Sequence, residues 1–183
     1  MNSFIETERI SLREFIATDE RELLDLDSDP EVMKYLTNGA TSSKEDIQRF
    51  MNRVSQQLKD SNGKYGVWAA IEKESYQFAG WFHLFPSRQE PENLERLFIG
   101  YRLKRKFWGK GYATEVSKAL VQIAFEQYGA KEVCAQAMKA NLRSQQVMIN
   151  VGMTFKHDFL EGSFPVGSQD AVLFSIVNPA RCL

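Results

Sequence analysis

The chain has 183 residues, of which 43% are hydrophobic and 26% charged, and a formal net charge of −1. This length fits one domain, taken as residues 1–183, that buries roughly 70% of its unfolded surface without disulfides or metals. The near-zero charge argues against a dedicated nucleic-acid binder. Two cysteines, Cys134 and Cys182, argue against a disulfide framework, and the absence of a CxxC pair or His/Cys cluster argues against a zinc-type metal site.

Arg9 to Phe15 alternates apolar and polar residues and predicts a half-buried strand. Glu20 to Leu26 reads as a short helix. Asp29-Pro30 places a capping acid before a proline at the first helical position, so a second helix begins there and ends at Asn38-Gly39. Ser43 caps a third helix, whose Ile47, Phe50, Met51, Val54 and Leu58 form one buried face. Tyr65–Lys73 and Gln77–Phe85 read as an antiparallel hairpin around Glu74-Ser75. After a polar loop, Pro86 to Asn93, a strand runs from Leu94 to Leu103. A long helix then buries Val116, Ala119, Leu120, Ile123, Ala124 and Tyr128 and stops at Gly129. Glu132–Met138 is a strand. Asn141–Val151 is a helix capped by Asn141 and ended by Gly152, and Thr154–Leu160 and Ala171–Val177 are two further strands. The order predicts an α+β fold with a mixed sheet and a central strand–helix–strand unit.

Trp108-Gly109-Lys110-Gly111-Tyr112-Ala113-Thr114 joins the Leu97–Leu103 run to the long helix. A helix start carries unpaired N–H groups and a positive dipole end, and glycines remove the Cβ atoms that would hold a phosphate away from them. The segment thus implies a phosphate-bearing ligand, or else a simple tight turn. Neither nucleotide fingerprint fits. Thr114 stands where GxGxxG needs its third glycine, and the GxxxxGK[ST] spacing is not met. Arg102, Lys104, Arg105, Lys106 and Lys110 crowd the approach. They form a solvated basic turn, a partner for a terminal phosphate, or a nucleic-acid patch.

Asn141-Leu142-Arg143-Ser144, followed by Gly152-Met153-Thr154-Phe155, resembles the second signature of the GNAT N-acetyltransferases. Ile99 to Leu103 with Trp108 to Glu115 is similar to the branch that contains the ribosomal-protein N-terminal acetyltransferases. So are Thr7 to Arg13 and Asp29 to Leu36. The resemblance implies a GNAT-like fold over the whole chain: a central mixed, largely antiparallel sheet of about six or seven strands, flanked by about four or five helices. It also implies acetyl-CoA as co-substrate and a primary-amine acceptor, foremost a protein or peptide N-terminal α-amine. A polyamine, amino sugar or antibiotic amine is the alternative, as is a non-catalytic CoA-binding regulatory module. By the same resemblance the backbone of Tyr101, Arg102 and Leu103 pairs with the pantetheine arm. Trp108, Gly109, Lys110, Gly111, Tyr112 and Ala113 wrap the pyrophosphate, with Lys106 as a nearby cation, and Asn141 hydrogen-bonds the cofactor.

Three positions depart from the family pattern. Lys106 replaces Arg or Gln, Phe98 replaces a frequent Glu, and Met148 replaces the frequent acid tyrosine. Ser144, one turn after Asn141, is therefore the candidate acid for the departing thiolate, or a plain contact. His83 is the candidate base, its ordinary pKa of ~6.5 suiting that duty, with a structural role as the competing reading. Glu72 and Glu95 are alternatives, with surface placement as the competing reading for each. A backbone N–H near Leu103 is the oxyanion donor by family analogy. Trp68, Trp81, Phe82, Phe85 and Tyr35 are mostly core, with Tyr35 and Trp81 as acceptor-pocket candidates. No apolar stretch nears the ~18 residues that span a bilayer, and the N-terminus lacks a signal-peptide core. The expected protein is cytoplasmic, a monomer or homodimer, with no membrane or nucleic-acid partner.

Overall fold

The alternation in Ile10-Ser11-Leu12-Arg13 becomes strand β2 (Ile10–Arg13), with Ile10 and Leu12 fully buried and Ser11 and Arg13 half exposed. The computed structural model describes residues 3–37, 39–87, 90–162 and 169–181. Around β2 lie β1 (Ser3–Glu6), β3 (Gly66–Glu72), β4 (Phe78–Pro86), β5 (Arg96–Leu103), β6 (Glu132–Met138), β7 (Thr154–Glu161) and β8 (Gln169–Val177). The helices are α1 (Asp19–Ser28), α2 (Pro30–Met33), α3 (Lys44–Asp60), α4 (Tyr112–Glu126) and α5 (Leu142–Val151). The eight strands form one sheet in the order β1-β2-β3-β4-β5-β6-β8-β7. Antiparallel pairs join β1 to β2, β2 to β3, β6 to β8 and β7 to β8, whereas β5 and β6 run parallel.

The eighth strand is β1, which the sequence does not announce. It has four residues and only Ile5 is buried, too little for an alternation to show. It is held by pairing with β2 and by the Phe4 ring, stacked on Trp68 at 3.8 Å.

Capping chemistry sets the helix starts where the sequence places them. Asp29 Oδ1 accepts from the Glu31 N–H ahead of α2. Ser43 and Asp46 exchange hydrogen bonds in a full capping box, an arrangement worth about 1 kcal/mol. Asn141 Oδ1 accepts from the Ser144 N–H at 3.2 Å, and Gly152 closes α5 at φ +101°. The second helix is shorter than expected. The N–H groups of Leu36, Thr37 and Gly39 all converge on the Met33 carbonyl, which ends the helix there. Asn38 lies outside the described residues, as does Cys182.

The chain forms two compact units, Met1–His83 with Tyr101–Tyr112, and Leu84–Gly100 with Ala113–Leu183. In the first, Leu23, Leu26, Val32, Ile47, Ala69 and Phe78 pack as a core, edged by Phe15, Phe50, Trp81 and Trp108. In the second, Leu97, Val116, Leu120, Ala124 and Val133 are completely buried, while Ala119, Ile123 and Tyr128 are half-buried.

One close approach in the first unit tolerates only glycine. Gly80 on β4 has φ +146°, and a Cβ there would lie 2.0 Å from the Arg102 carbonyl oxygen. The Lys104 N–H donates to the Ala79 carbonyl beside it, at 2.9 Å. Gly80→Ala is expected to cost about 2 kcal/mol or more, lowering Tm by roughly 4–8 °C in a thermal melt. An unshifted melt would show that this contact does not constrain the fold.

Candidate active site and cofactor loop

β5 ends in Tyr101-Arg102-Leu103, and the backbone then turns through a short 3-10 helix, Arg105–Phe107, before Trp108 and the two glycines. The Trp108 indole N–H donates to the Leu103 carbonyl at 2.8 Å, which folds the loop back on the strand end. Gly109 and Gly111 have φ of +74° and +83°, the left-handed region that side chains with a Cβ adopt only at a cost. A Cβ on Gly109 would meet nothing within 4 Å, so the space outside that residue is open. Among the described residues, the N–H groups of Gly109, Lys110, Gly111 and Tyr112 donate to no group of the protein outside a helix or strand. Four donors on consecutive residues lie at the start of the fifteen-residue helix α4, where backbone N–H groups and the helix dipole favour negative charge.

The basic run divides in a way the sequence did not show. Arg102 pairs with Asp27, whose other oxygen accepts from Ser42 at 2.6 Å, and the Arg102 guanidinium lies 5.1 Å from the centre of the Trp81 ring. Lys104 is buried and reaches both Glu22 and Asp25 at 2.6 Å. Burial works to lower the Lys104 pKa, but its bonds to Asp25 and Glu22 outweigh that and hold it above the usual lysine value. Arg105 pairs with Asp29 at 3.1 Å. Three of the five cations are therefore paired with carboxylates of α1 and the corner that follows it; of these Lys104 is buried and Arg102 half-buried, while Arg105 stays exposed. Lys106 reaches the Gln77 side-chain oxygen at 2.6 Å, and Lys110 Nζ lies 3.8 Å from Glu72.

Glu72 is not on the surface, contrary to the sequence reading; it is 6% exposed. It accepts from Ser75 and, at 2.5 Å, from the Tyr112 hydroxyl. The Ser75 bond, then the Tyr112 bond, lower the carboxyl pKa below its ordinary 4.5, and the bond to Glu72 raises that of Tyr112. A carboxylate stabilised in its charged form is a weak proton acceptor, so Glu72 does not suit base duty. Glu95 is exposed and paired with Lys131 at 2.8 Å.

His83 is half-buried on β4, two residues from Trp81, with ring centres 6.2 Å apart. Trp81 in turn tilts against Phe50 at 5.9 Å. Phe82 and Leu84, facing the opposite way on the strand, are fully buried. Trp68 and Phe82 are core as expected, and Tyr35 and Phe85 are half-buried. His83 thus shares the first unit with Tyr101, Arg102, Leu103, Lys106 and the Trp108–Tyr112 loop.

Ala113, Asn141 and Ser144 belong to the second unit. Asn141 uses its Oδ1 as the cap of α5, which leaves its amide N–H₂ as the group able to face a ligand. Ser144 is half-buried and Met148 is buried in the same helix. Cys134 is a buried thiol that takes a bond from Arg96 Nε at 3.3 Å; burial raises its pKa and makes it an inert core residue. Among the described residues no cluster of His, Cys, Asp or Glu is placed to hold a metal ion, and no helix is long and apolar enough to cross a membrane.

Residues 9–154 match the acetyltransferase (GNAT) domain. The chain is 32% identical over 138 residues to the FsC-acetyl coenzyme A-N(2)-transacetylase of Aspergillus fumigatus, a match covering 73% of this chain and 57% of that protein. It thus spans a little over half of that relative's length. In fold it is similar to the microcin C7 self-immunity acetyltransferase MccE, solved with acetyl-CoA and AMP, at a TM-score of 0.77, 20% identity and 93% coverage of each chain. It is also similar to RimL, the ribosomal L7/L12 alpha-N-protein acetyltransferase solved with coenzyme A. There the TM-score is 0.80, with 14% identity and coverage of 98% of this chain and 99% of that one. The chain belongs to the GNAT acetyltransferase family, whose members take acetyl-CoA as co-substrate.

Two outcomes follow from the charge pattern. Asp27→Ala leaves the Arg102 guanidinium without its carboxylate and is expected to cost about 3 kcal/mol, against about 1 kcal/mol for Ser42→Ala, in denaturant titrations. Equal, small losses would show that the pair does not hold α1 in place. The lowered Glu72 pKa has a definite sign: its stabilising contribution is complete above 4.5 and is lost as pH falls through the folded value. Glu72→Gln should therefore flatten the acid side of the Tm-against-pH curve, and an unchanged slope would remove Glu72 as a source of that dependence.

Proposed function

We propose that this protein transfers the acetyl group of acetyl-CoA to a primary amine. The carrying observation is the run of N–H groups from Gly109 to Tyr112, unengaged by the protein and framed by two left-handed glycines. In this reading those groups and Ala113 hold the pyrophosphate, with Lys106 and Lys110 as the adjoining cations. The Tyr101–Leu103 backbone takes the pantetheine arm and the Asn141 amide makes a further bond. When bound, acetyl-CoA supplies an activated acyl group; the chain's residues place it and manage protons. The incoming amine must lose a proton before it attacks, and His83 is the group offered for that step. Ser144 is the group offered for returning a proton to the thiolate, because the Met148 thioether has no proton to give.

The proposed acceptor is a protein or peptide N-terminal α-amine, supported by the fold shared with RimL. A different amine is the second reading, favoured by the 32% relative, which is named for N(2) transfer to FsC rather than to a ribosomal protein. The protein is proposed to act as a single domain in the cytoplasm.

Release of free CoA thiol on mixing acetyl-CoA with peptides, polyamines and amino sugars measures turnover and ranks the acceptors. Tight acetyl-CoA binding with no thiol release on any amine would instead support a regulatory module. Gly111→Val places a branched side chain at φ +83° and is expected to abolish acetyl-CoA binding while the protein stays folded. Unchanged affinity in that variant would remove the pyrophosphate reading.

A further inference from the structure

We infer that Arg9 and Glu72 are positioning residues that aim the cofactor loop, an inference that rests on reading Trp108–Tyr112 as the pyrophosphate cradle. Arg9 Nη1 donates to the Lys110 carbonyl at 2.9 Å, across 101 residues of sequence. The peptide bonds here are trans, so the carbonyl of Lys110 and the N–H of Gly111 point in opposite directions. Fixing that carbonyl on Arg9 turns the Gly111 N–H away from the guanidinium. The same guanidinium lies 4.8 Å from the centre of the Tyr112 ring, and a Cβ on Gly111 would come within 3.3 Å of its Nη2. Arg9 is thus packed against the inner side of the loop at three successive residues.

Glu72 fixes the far end. Its carboxylate takes the Tyr112 hydroxyl at 2.5 Å, and Ser75 holds its second oxygen. Both clamps are built on one strand pair. Ile10, next to Arg9, lies opposite Glu72 in the β2–β3 register, and the Lys73 N–H donates to the Arg9 carbonyl at 2.9 Å. The loop cannot hold itself with N–H groups that are kept for a ligand, so its conformation is set through one carbonyl and one hydroxyl. Neither Arg9 nor Glu72 needs to touch the cofactor.

The test compares calorimetric binding of acetyl-CoA with that of S-acetylpantetheine, which lacks the pyrophosphate. Arg9→Ala and Glu72→Ala are each expected to weaken acetyl-CoA roughly tenfold and leave acetylpantetheine unchanged. Arg9→Lys should recover part of the loss, because an ammonium can still donate to the Lys110 carbonyl. Arg9 is exposed, so its replacement leaves the core intact. If Glu72→Ala fails to fold, Tyr112→Phe deletes the same hydrogen bond and keeps the ring. Folded variants that bind acetyl-CoA as the wild type does, or that lose both ligands equally, overturn the clamp. If those variants bind normally while Gly111→Val loses acetyl-CoA, the cradle stands and only the clamp falls. A wild type that binds both ligands alike overturns the cradle and the clamp with it.

Discussion

A loop whose N–H groups make no bond to the rest of the protein cannot use them to hold its own shape. Ordinary turns close on themselves through backbone hydrogen bonds, and the residues just before this loop do so: Phe107 and Trp108 donate to Lys104 and Arg105. From Gly109 to Tyr112 that device stops. What remains is restraint through other atoms: the Trp108 indole on the Leu103 carbonyl, the Arg9 guanidinium on the Lys110 carbonyl, and the Tyr112 hydroxyl on Glu72. Preorganisation matters because every rotation that must be frozen on binding subtracts from affinity. The left-handed glycines allow the shape, and the three side-chain bonds select it.

The same economy governs charge. Five cations within nine residues would repel one another and bind anions indiscriminately if all faced solvent. Instead α1 supplies Glu22, Asp25 and Asp27, and Asp29 follows it, so that Arg102, Lys104 and Arg105 become fasteners between the helix and the end of β5. Asp29 serves twice, capping α2 with one oxygen and pairing Arg105 with the other. The cations left near the glycines, Lys106 and Lys110, each have a polar neighbour at hand without being buried by it.

Legibility in the sequence followed the range of the interaction. The caps at Asp29, Ser43 and Asn141 and the stops at Gly129 and Gly152 are decisions made within four residues, and they could be read directly. The alternation in β2 and the 3.6-residue face of α3 were equally plain. The four-residue β1 was hidden because one buried residue makes no pattern, and α2 was overrun because three donors meeting on one carbonyl leave no compositional trace. At the site, the glycine loop was legible as the turn that opens α4. Its restraints were not: Arg9 meets Lys110 across 101 residues and Arg102 meets Asp27 across 75. Glu72 was misplaced on the surface for the same reason, since its burial depends on Tyr112, forty positions away.

That misplacement bears on the chemistry. A glutamate on a strand near a presumed amine site invites the role of base, and burial alone would favour it by raising the pKa. Here hydrogen bonds from Ser75 and Tyr112 outweigh burial and hold the carboxylate charged. The group that looks most like a base by residue type is thus committed to geometry. His83, the base proposed above, is half-buried on β4 beside Trp81. The division is a physical one: the carboxylates on α1 and β3 are committed to ion pairs and hydrogen bonds that hold the frame.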